Sequence, residues 1–335
     1  MGFDFFPINY QPAYLCSRTR LYISQYVKLM HGNICEKLKA SYVDAPILTM
    51  VNNSWNGHKQ NMRYISFDNK FTSEVSEIVE DPSSYLRYAL ISFLDSDISA
   101  YTYMPSISRD IDEEKGETMV TNNFFIEYRL IESQNISNIV VSLATNIFSI
   151  INDINTNHLF KDIQKPFYMG QKTNIVEIEK IKKLFPTLPL KEGLTEYVIT
   201  HGPTLIIGSH KILPDDKRLE FGTPTNEDYN NTSILYVFSE SINRVLPIIK
   251  IAPRPTLEII KEQLIIDAPG DLDHQIYQET ILDKNKNFPL SVGIKIYFSN
   301  LMLINLNKLH LCEVVHSPYS SELHKYFVEN NIEVL

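Results

Sequence analysis

Between Leu21 and Ala40 the apolar residues Ile23, Val27, Met30, Ile34 and Leu38 recur at intervals of four, three, four and four. That rhythm lines one side of a helix and predicts an amphipathic helix here. The segment that follows, Tyr42 to Val51, is rich in β-formers but carries Pro46. A proline cannot donate to a ladder, so an edge or interface strand is expected. Asn52 to Asn61 is polar and turn-like, Arg63 to Asp68 reads as a short strand, and Pro82 to Phe93 as a helix with Ser83 or Ser84 near its N-cap. Tyr101 to Met104 and Phe124 to Ile131 read as strands, joined by a charged, hairpin-like connector, Arg109 to Gly116.

A second strong stripe, Ile139, Leu143, Ile147, Ile150, Ile151 and Ile154, predicts a helix over Asn138 to Ile154. Beyond it, strands are expected at Phe167–Met169, Glu196–Thr200 and Leu205–Ile207, with a helix at Ile178–Phe185. Positions 210 to 232 are irregular and polar, the pattern of a surface or site loop. Strands return at Ile234–Phe238 and Val245–Ala252, and helices at Thr256–Leu264, Leu272–Leu282 and Ser299–Leu306. With no repeat and no low-complexity linker there is no clean domain boundary, and the length fits roughly two domains or one large α/β or α+β domain with insertions.

Composition narrows the function classes. The 335 residues include 31 basic and 40 acidic side chains, a formal net charge of −9. Nucleic acids and anionic membranes are held by clustered Lys and Arg, so neither is an expected partner. No uninterrupted apolar run reaches the length that spans a bilayer. Met1 to Pro7 lacks the basic start of a signal peptide, and a cytoplasmic protein is expected. The three cysteines, Cys16, Cys35 and Cys312, form no CxxC pattern and read as reduced thiols. Nine histidines form no HxxxH or HExxH spacing, and no metal site is predicted from them. The Walker, GxGxxG and GxSxG motifs are all absent.

The order of elements carries more. A long helix, a Pro-bearing strand, two strands around an Arg-containing loop, and a late Gly-bearing strand running into an apolar helix form the layout of a class II aminoacyl-tRNA-synthetase-like antiparallel sheet flanked by helices. Within that layout the residues resemble the asparagine synthetase A (aspartate–ammonia ligase) family. The similarity is carried by Val43-Asp-Ala-Pro-Ile-Leu48 (family pattern VxAPIL), Tyr101-Thr-Tyr-Met104 (YTHM), Lys211 to Tyr229 (a loop ending RAPDYDDW), Pro289-Leu-Ser-Val-Gly293 through Ser299 (PxTIGGGIGQSR), and Leu309 to Pro318 (LPHIGxVQxGVWP).

The resemblance implies an ATP-dependent ligase, with ATP and magnesium, that activates a carboxylic or amino acid as an acyl-adenylate. It places Arg109 as the catalytic, phosphate-gripping Arg, with Asp112 or Glu113 as the acid of its loop. Gly293, Lys295 and Asn300 fall on the ATP-binding strand and helix, and Arg87, Tyr128, Glu227 and Asp228 on the substrate side. It also implies a single α+β domain over residues 1–335 and a homodimer through residues 21–51.

Departures from the pattern are concentrated in these positions. Asn300 stands where the family has an Arg, the glycine run has become Gly293-Ile-Lys-Ile-Tyr297, and Tyr128 replaces a substrate-reading amide. The loop Asn56 to Gln60 holds no carboxylate, the wall Leu246 to Pro253 is apolar apart from Lys250, and Ser233 replaces an aspartate. A neutral amide cannot supply a fixed guanidinium charge. Two readings follow: a ligase whose acid is not aspartate, or an inactive paralogue kept as a dimeric scaffold or ligand-sensing subunit. Lys295, Arg129 or Arg254 at the position of the missing charge would favour the first.

Overall fold

The computed structural model describes residues 16–51, 55–56, 63–70, 74–113, 116–130, 135–160, 166, 168–214, 218–267 and 288–335. The first apolar stripe is helix α1, Cys16–Lys37, with Tyr22, Tyr26, Met30 and Ile34 buried. The β-rich segment after it splits around Pro46 into β1 (Ala40–Tyr42) and β2 (Leu48–Met50), which join different sheets. β2 belongs to a three-stranded sheet with β3 (Ser66–Asp68) and β4 (Val75–Ile78), ordered β2-β4-β3.

The main sheet has the order β1-β5-β6-β11-β10-β9-β8-β7. Its other members are β5 (Ser99–Ile107), β6 (Val120–Arg129), β7 (Asn174–Glu177), β8 (Thr204–Ile207), β9 (Ser233–Ser239), β10 (Arg244–Pro253) and β11 (Ser291–Ile296). The six central strands, β5 to β8 in that order, run antiparallel, and only the outer pairs β1·β5 and β7·β8 are parallel. This is the α+β, largely antiparallel architecture expected.

Alternation along the strands assigns the two faces. Phe124, Ile126, Val292, Ile294, Ile296, Ile249, Ile251, Leu235 and Val237 point into one core with α1, α3 (Ile136–Asn155) and α7 (Phe298–Asn305). Helix α3 is apolar and long enough to cross a membrane by composition alone, yet its stripe of Leu143, Ile147, Ile150, Ile151 and Ile154 is buried in this core. On the opposite face, α2 (Ser83–Ser92) packs on Phe125 and Met104 at one end of the sheet, and α4 (Ile178–Leu184) and α5 (Leu190–His201) pack on Ile206, Ile234 and Tyr236 at the other. Between those helices, strands β11 and β10 present polar side chains.

Several expectations change. Glu196–Thr200 is part of α5, not a strand: Leu194, Tyr197 and Val198 are buried at helical spacing, and tertiary packing overrides the β-branched composition. Tyr168–Gly170 forms a turn, while Phe167 and the helix expected at 272–282 lie outside the described residues. Helix α2 is not capped by Ser83 or Ser84; the Asp81 carboxylate accepts the Ser83 N–H at 2.9 Å. A C-terminal helix, α8 (Ser321–Glu329), was not anticipated; Ser320 caps it and Leu323 and Phe327 anchor it.

Candidate functional site

The polar strip on β6, β11 and β10 is organised by register. Glu127 stands opposite Gly293, and Gly293 opposite Ala252; in the next rung Phe125 stands opposite Lys295, and Lys295 opposite Lys250. Two lysines facing each other repel unless countercharges are close. Asp81, at the start of α2, supplies one: burial works against its ionisation, but Lys250 and Lys295 outweigh this and hold the carboxyl below the usual value.

Glu227 supplies the other. Its carboxylate is buried, forms an ion pair with Lys250, accepts the Thr223 N–H at 2.8 Å and lies 3.1 Å from His210 Nδ1. Burial opposes its charge, but Lys250 and His210 prevail and keep it ionised well below the ordinary range. Lys250, in turn, is held protonated above its ordinary value by Glu227 against the cost of burial.

A second buried pair lies alongside. Arg254 Nε is 2.9 Å and 3.1 Å from the two carboxylate oxygens of Glu127, and a terminal nitrogen closes the fork. Ser291 Oγ donates to the same carboxylate at 2.5 Å, and Arg254 also donates to the carbonyl of Asn226. The loop bearing Asn226 and Glu227 is clamped by Gln263 of α6 (Leu257–Asp267), whose amide donates to Pro224 and Glu227 carbonyls at 2.9 Å each and accepts the Tyr229 N–H at 2.9 Å. The polar stretch read as a surface or site loop is therefore buried around residues 225–229, its polar groups satisfied internally.

Next to this pair of ion pairs is a cavity of about 250 Å³ whose lining includes Glu80, Ser108, Asn123, Lys295, Tyr297 and Asn300. Lys295 lies 5.2 Å from the Phe125 ring centroid and 5.0 Å from that of Tyr297, whose phenol is pushed up to about 12 by burial. Asn300 donates from its amide to the Pro247 carbonyl at 3.0 Å.

The residues expected at the site divide clearly. Lys295 and Asn300 meet at the cavity, and Gly293, Glu227 and Arg87 meet at the buried ion pairs. Arg87 donates to the Thr225 carbonyl at 3.4 Å and stacks 4.4 Å from the Phe288 ring centroid; burial lowers its pKa to about 10. Arg109 is exposed: Ser108, one residue earlier, is the one that lines the cavity, with its hydroxyl on Glu80 at 3.1 Å. Asp112 sits in the hairpin, its N–H on Glu117 at 2.9 Å, and Glu113 accepts the Ser320 N–H at 2.9 Å. Tyr128 points to the other face and packs against the helical core, because Glu127 takes the site face and neighbours alternate. Asp228 is spent on its own turn, accepting from Asn230 N–H at 3.0 Å and Asn231 Nδ2 at 2.7 Å. Arg129 reaches away to the carbonyls of Leu90 and Ile98.

Glu127, Asp81, His210 and Gln263 were not singled out from sequence, although a lone acid in Phe124-Phe-Ile-Glu-Tyr128 was a visible signal. Among the described residues, no three His, Cys, Asp or Glu side chains gather to hold a metal by themselves.

The sheet, its flanking helices and the strip between them define a class II synthetase-like protein. The solved asparaginyl-tRNA synthetase of Pyrococcus horikoshii, complexed with asparaginyl-adenylate, superposes with TM-score 0.65 at 11% identity, covering 91% of this chain and 70% of that one. That of Entamoeba histolytica gives 0.63 at 9%, covering 91% and 67%. The family is narrower than the fold: a sequence profile of the aspartate–ammonia ligase family matches residues 17–331, and the chain belongs to that family. Aspartate–ammonia ligases of Bacteroides thetaiotaomicron and Pediococcus pentosaceus are 23% and 22% identical, each over 98% of this chain and 98% of the relative.

Proposed function

We propose that this chain is a member of the family that has given up aspartate adenylation and retains the class II frame as a cytoplasmic, homodimeric scaffold or ligand-sensing subunit. The observation that carries this reading is the state of the site's cations. Arg254 is taken by Glu127 and Lys250 by Glu227, and Asn300 spends its amide on a carbonyl. Among the described residues, Lys295 is the one cation lining the cavity, which it shares with Glu80, Asp110 and Glu117. A triphosphate needs several fixed positive charges to offset its own. The cavity's volume also lies below the roughly 300–1,000 Å³ of ordinary small-molecule sites.

The homodimer is supported by apolar surface on the segment expected to pair. Ile47 and Leu48 are 54% and 52% exposed, and Tyr42, Val51, Phe67 and Val75 are exposed as well. A patch of this kind marks an interaction surface.

A second reading, an ATP-dependent ligase activating an acid other than aspartate for amide formation, is favoured by one placement: Lys295 and Asn300 line the same cavity. One assay separates the two. Purified protein with ATP, magnesium and ammonia is offered a panel of amino and carboxylic acids, and AMP and pyrophosphate are measured. No release with any acid and no thermal shift with ATP is expected. Turnover abolished by Lys295→Ala would replace the first reading with the second.

A further inference from the structure

Two long side chains end, with opposite charges, in neighbouring receptors on the site face. The Lys250 ammonium sits on the Glu227 carboxylate, and the Glu127 carboxylate sits on the Arg254 guanidinium. Each receptor is held from behind by backbone. Glu227 takes the Thr223 N–H, Arg254 donates to the Asn226 carbonyl, and Gln263 fixes the Glu227 carbonyl. Glu227 and Arg254 are 3% and 7% exposed, so their positions do not depend on solvent. The floor beside them is the cross-strand pair Ala252 and Gly293, the two smallest residues available.

A buried carboxylate and a buried guanidinium above a floor of small residues form a receptor for a molecule bearing one ammonium and one carboxylate. Burying such charges costs more than it returns unless each is met. We propose that Lys250 and Glu127 act as a built-in ligand, supplying in cis the two charges of an amino acid, and that Lys250 is the residue that refuses free amino-group ligands. The proposal deepens the non-catalytic reading above and rests on it.

Removing Lys250 beyond Cβ takes away the ammonium seated on Glu227, leaving His210 and the Thr223 N–H on its carboxylate and space for a short alkylammonium. Lys250→Ala is produced with and without propylamine, and thermal melting is followed against propylammonium, with 1-propanol as the neutral isostere. Expected is a rise in Tm of about 3 °C at saturating propylammonium, none with propanol, and none for the wild type. If Lys250→Ala is insoluble alone, soluble protein only in the presence of propylamine supports the proposal; insolubility in both overturns it. Lys250→Ala/Glu227→Gln keeps the space but not the charge and must not respond; an equal response overturns the assignment to Glu227. With Glu127→Ala added to Lys250→Ala, one of glycine, β-alanine or γ-aminobutyrate should shift the melt while the single variant stays indifferent to all three. Indifference of the double variant to all three removes the Glu127 half. Adenylation by the wild type would instead defeat the functional reading, and would be seen independently of any amine response.

Discussion

Gly293 has no side chain where the Arg254 guanidinium lies: a Cβ built on residue 293 would be no farther than 2.7 Å from any of three guanidinium atoms. The glycine shared with the family's strand pattern thus serves here as the bed for a protein side chain. Gly293→Ala must push Arg254 away from Glu127, and overpacking of this kind costs about 1–3 kcal/mol. Urea unfolding should show a lowered midpoint with an unchanged slope.

The Arg254–Glu127 pair is buried on both sides, with 4% and 0% of the side chains exposed. Removing one partner strands the other, so Glu127→Leu and Arg254→Leu should each cost about 3–5 kcal/mol. The double variant is expected to cost much less than the sum. A double-mutant cycle measures the coupling; additive losses would show that the fork contributes little beyond its separate parts.

Acid sensitivity follows from Glu227 and Asp81, whose folded-state pKa values are both depressed. A depressed carboxylate contributes stability that is complete above its unfolded value and lost as pH falls through the folded one. Stability should therefore decline progressively as pH drops below about 4.5, the unfolded carboxylate range. Glu227→Gln should start less stable at pH 7 and show a flatter decline between pH 5 and 3, read from denaturation at each pH. A parallel decline would remove Glu227 from the account.

The exposed apolar strip at Ile47 and Leu48 gives the proposed homodimer a direct test. A charge there would face solvent harmlessly in a monomer and be buried in a dimer. Ile47→Glu should halve the mass seen by light scattering while far-UV circular dichroism is retained; an unchanged mass would place the interface elsewhere.

Arg109, exposed at the start of the hairpin, has no buried environment to lose. Arg109→Ala should change the unfolding free energy by no more than about 0.5 kcal/mol, the scatter expected for surface substitutions. A large drop would mean the hairpin is anchored through it.

Much of this fold is legible in the chain because its strongest helices and strands have unambiguous periods. The stripes of α1 and α3, and the apolar runs of β6 and β10, announce themselves, and the helix–proline–strand order points to the class. Failures come from short-range ambiguity: Val198, Ile199 and Thr200 favour strands by composition, and only packing of Leu194, Tyr197 and Val198 makes them helical. The site is less legible because its chemistry is pairwise. That Lys250 would meet Glu227 and Arg254 would meet Glu127 depends on strand register across β6, β11 and β10, which a linear pattern does not carry. Glu113, read as a site acid, turned out to hold the C-terminal segment through Ser320 for the same reason.

Ser108 and Arg109 are the two residues just beyond β5; the first lines the cavity and the second is exposed to solvent. A guanidinium one place late is chemically absent from the cavity although present in the chain. Ser108→Arg and Asn300→Arg, both at positions that line the cavity with Lys295, would add two fixed positive charges to it. Where the cavity lies is fixed by the sheet, whereas which charges it holds is fixed by the phase of single residues at its rim, so the two can change independently.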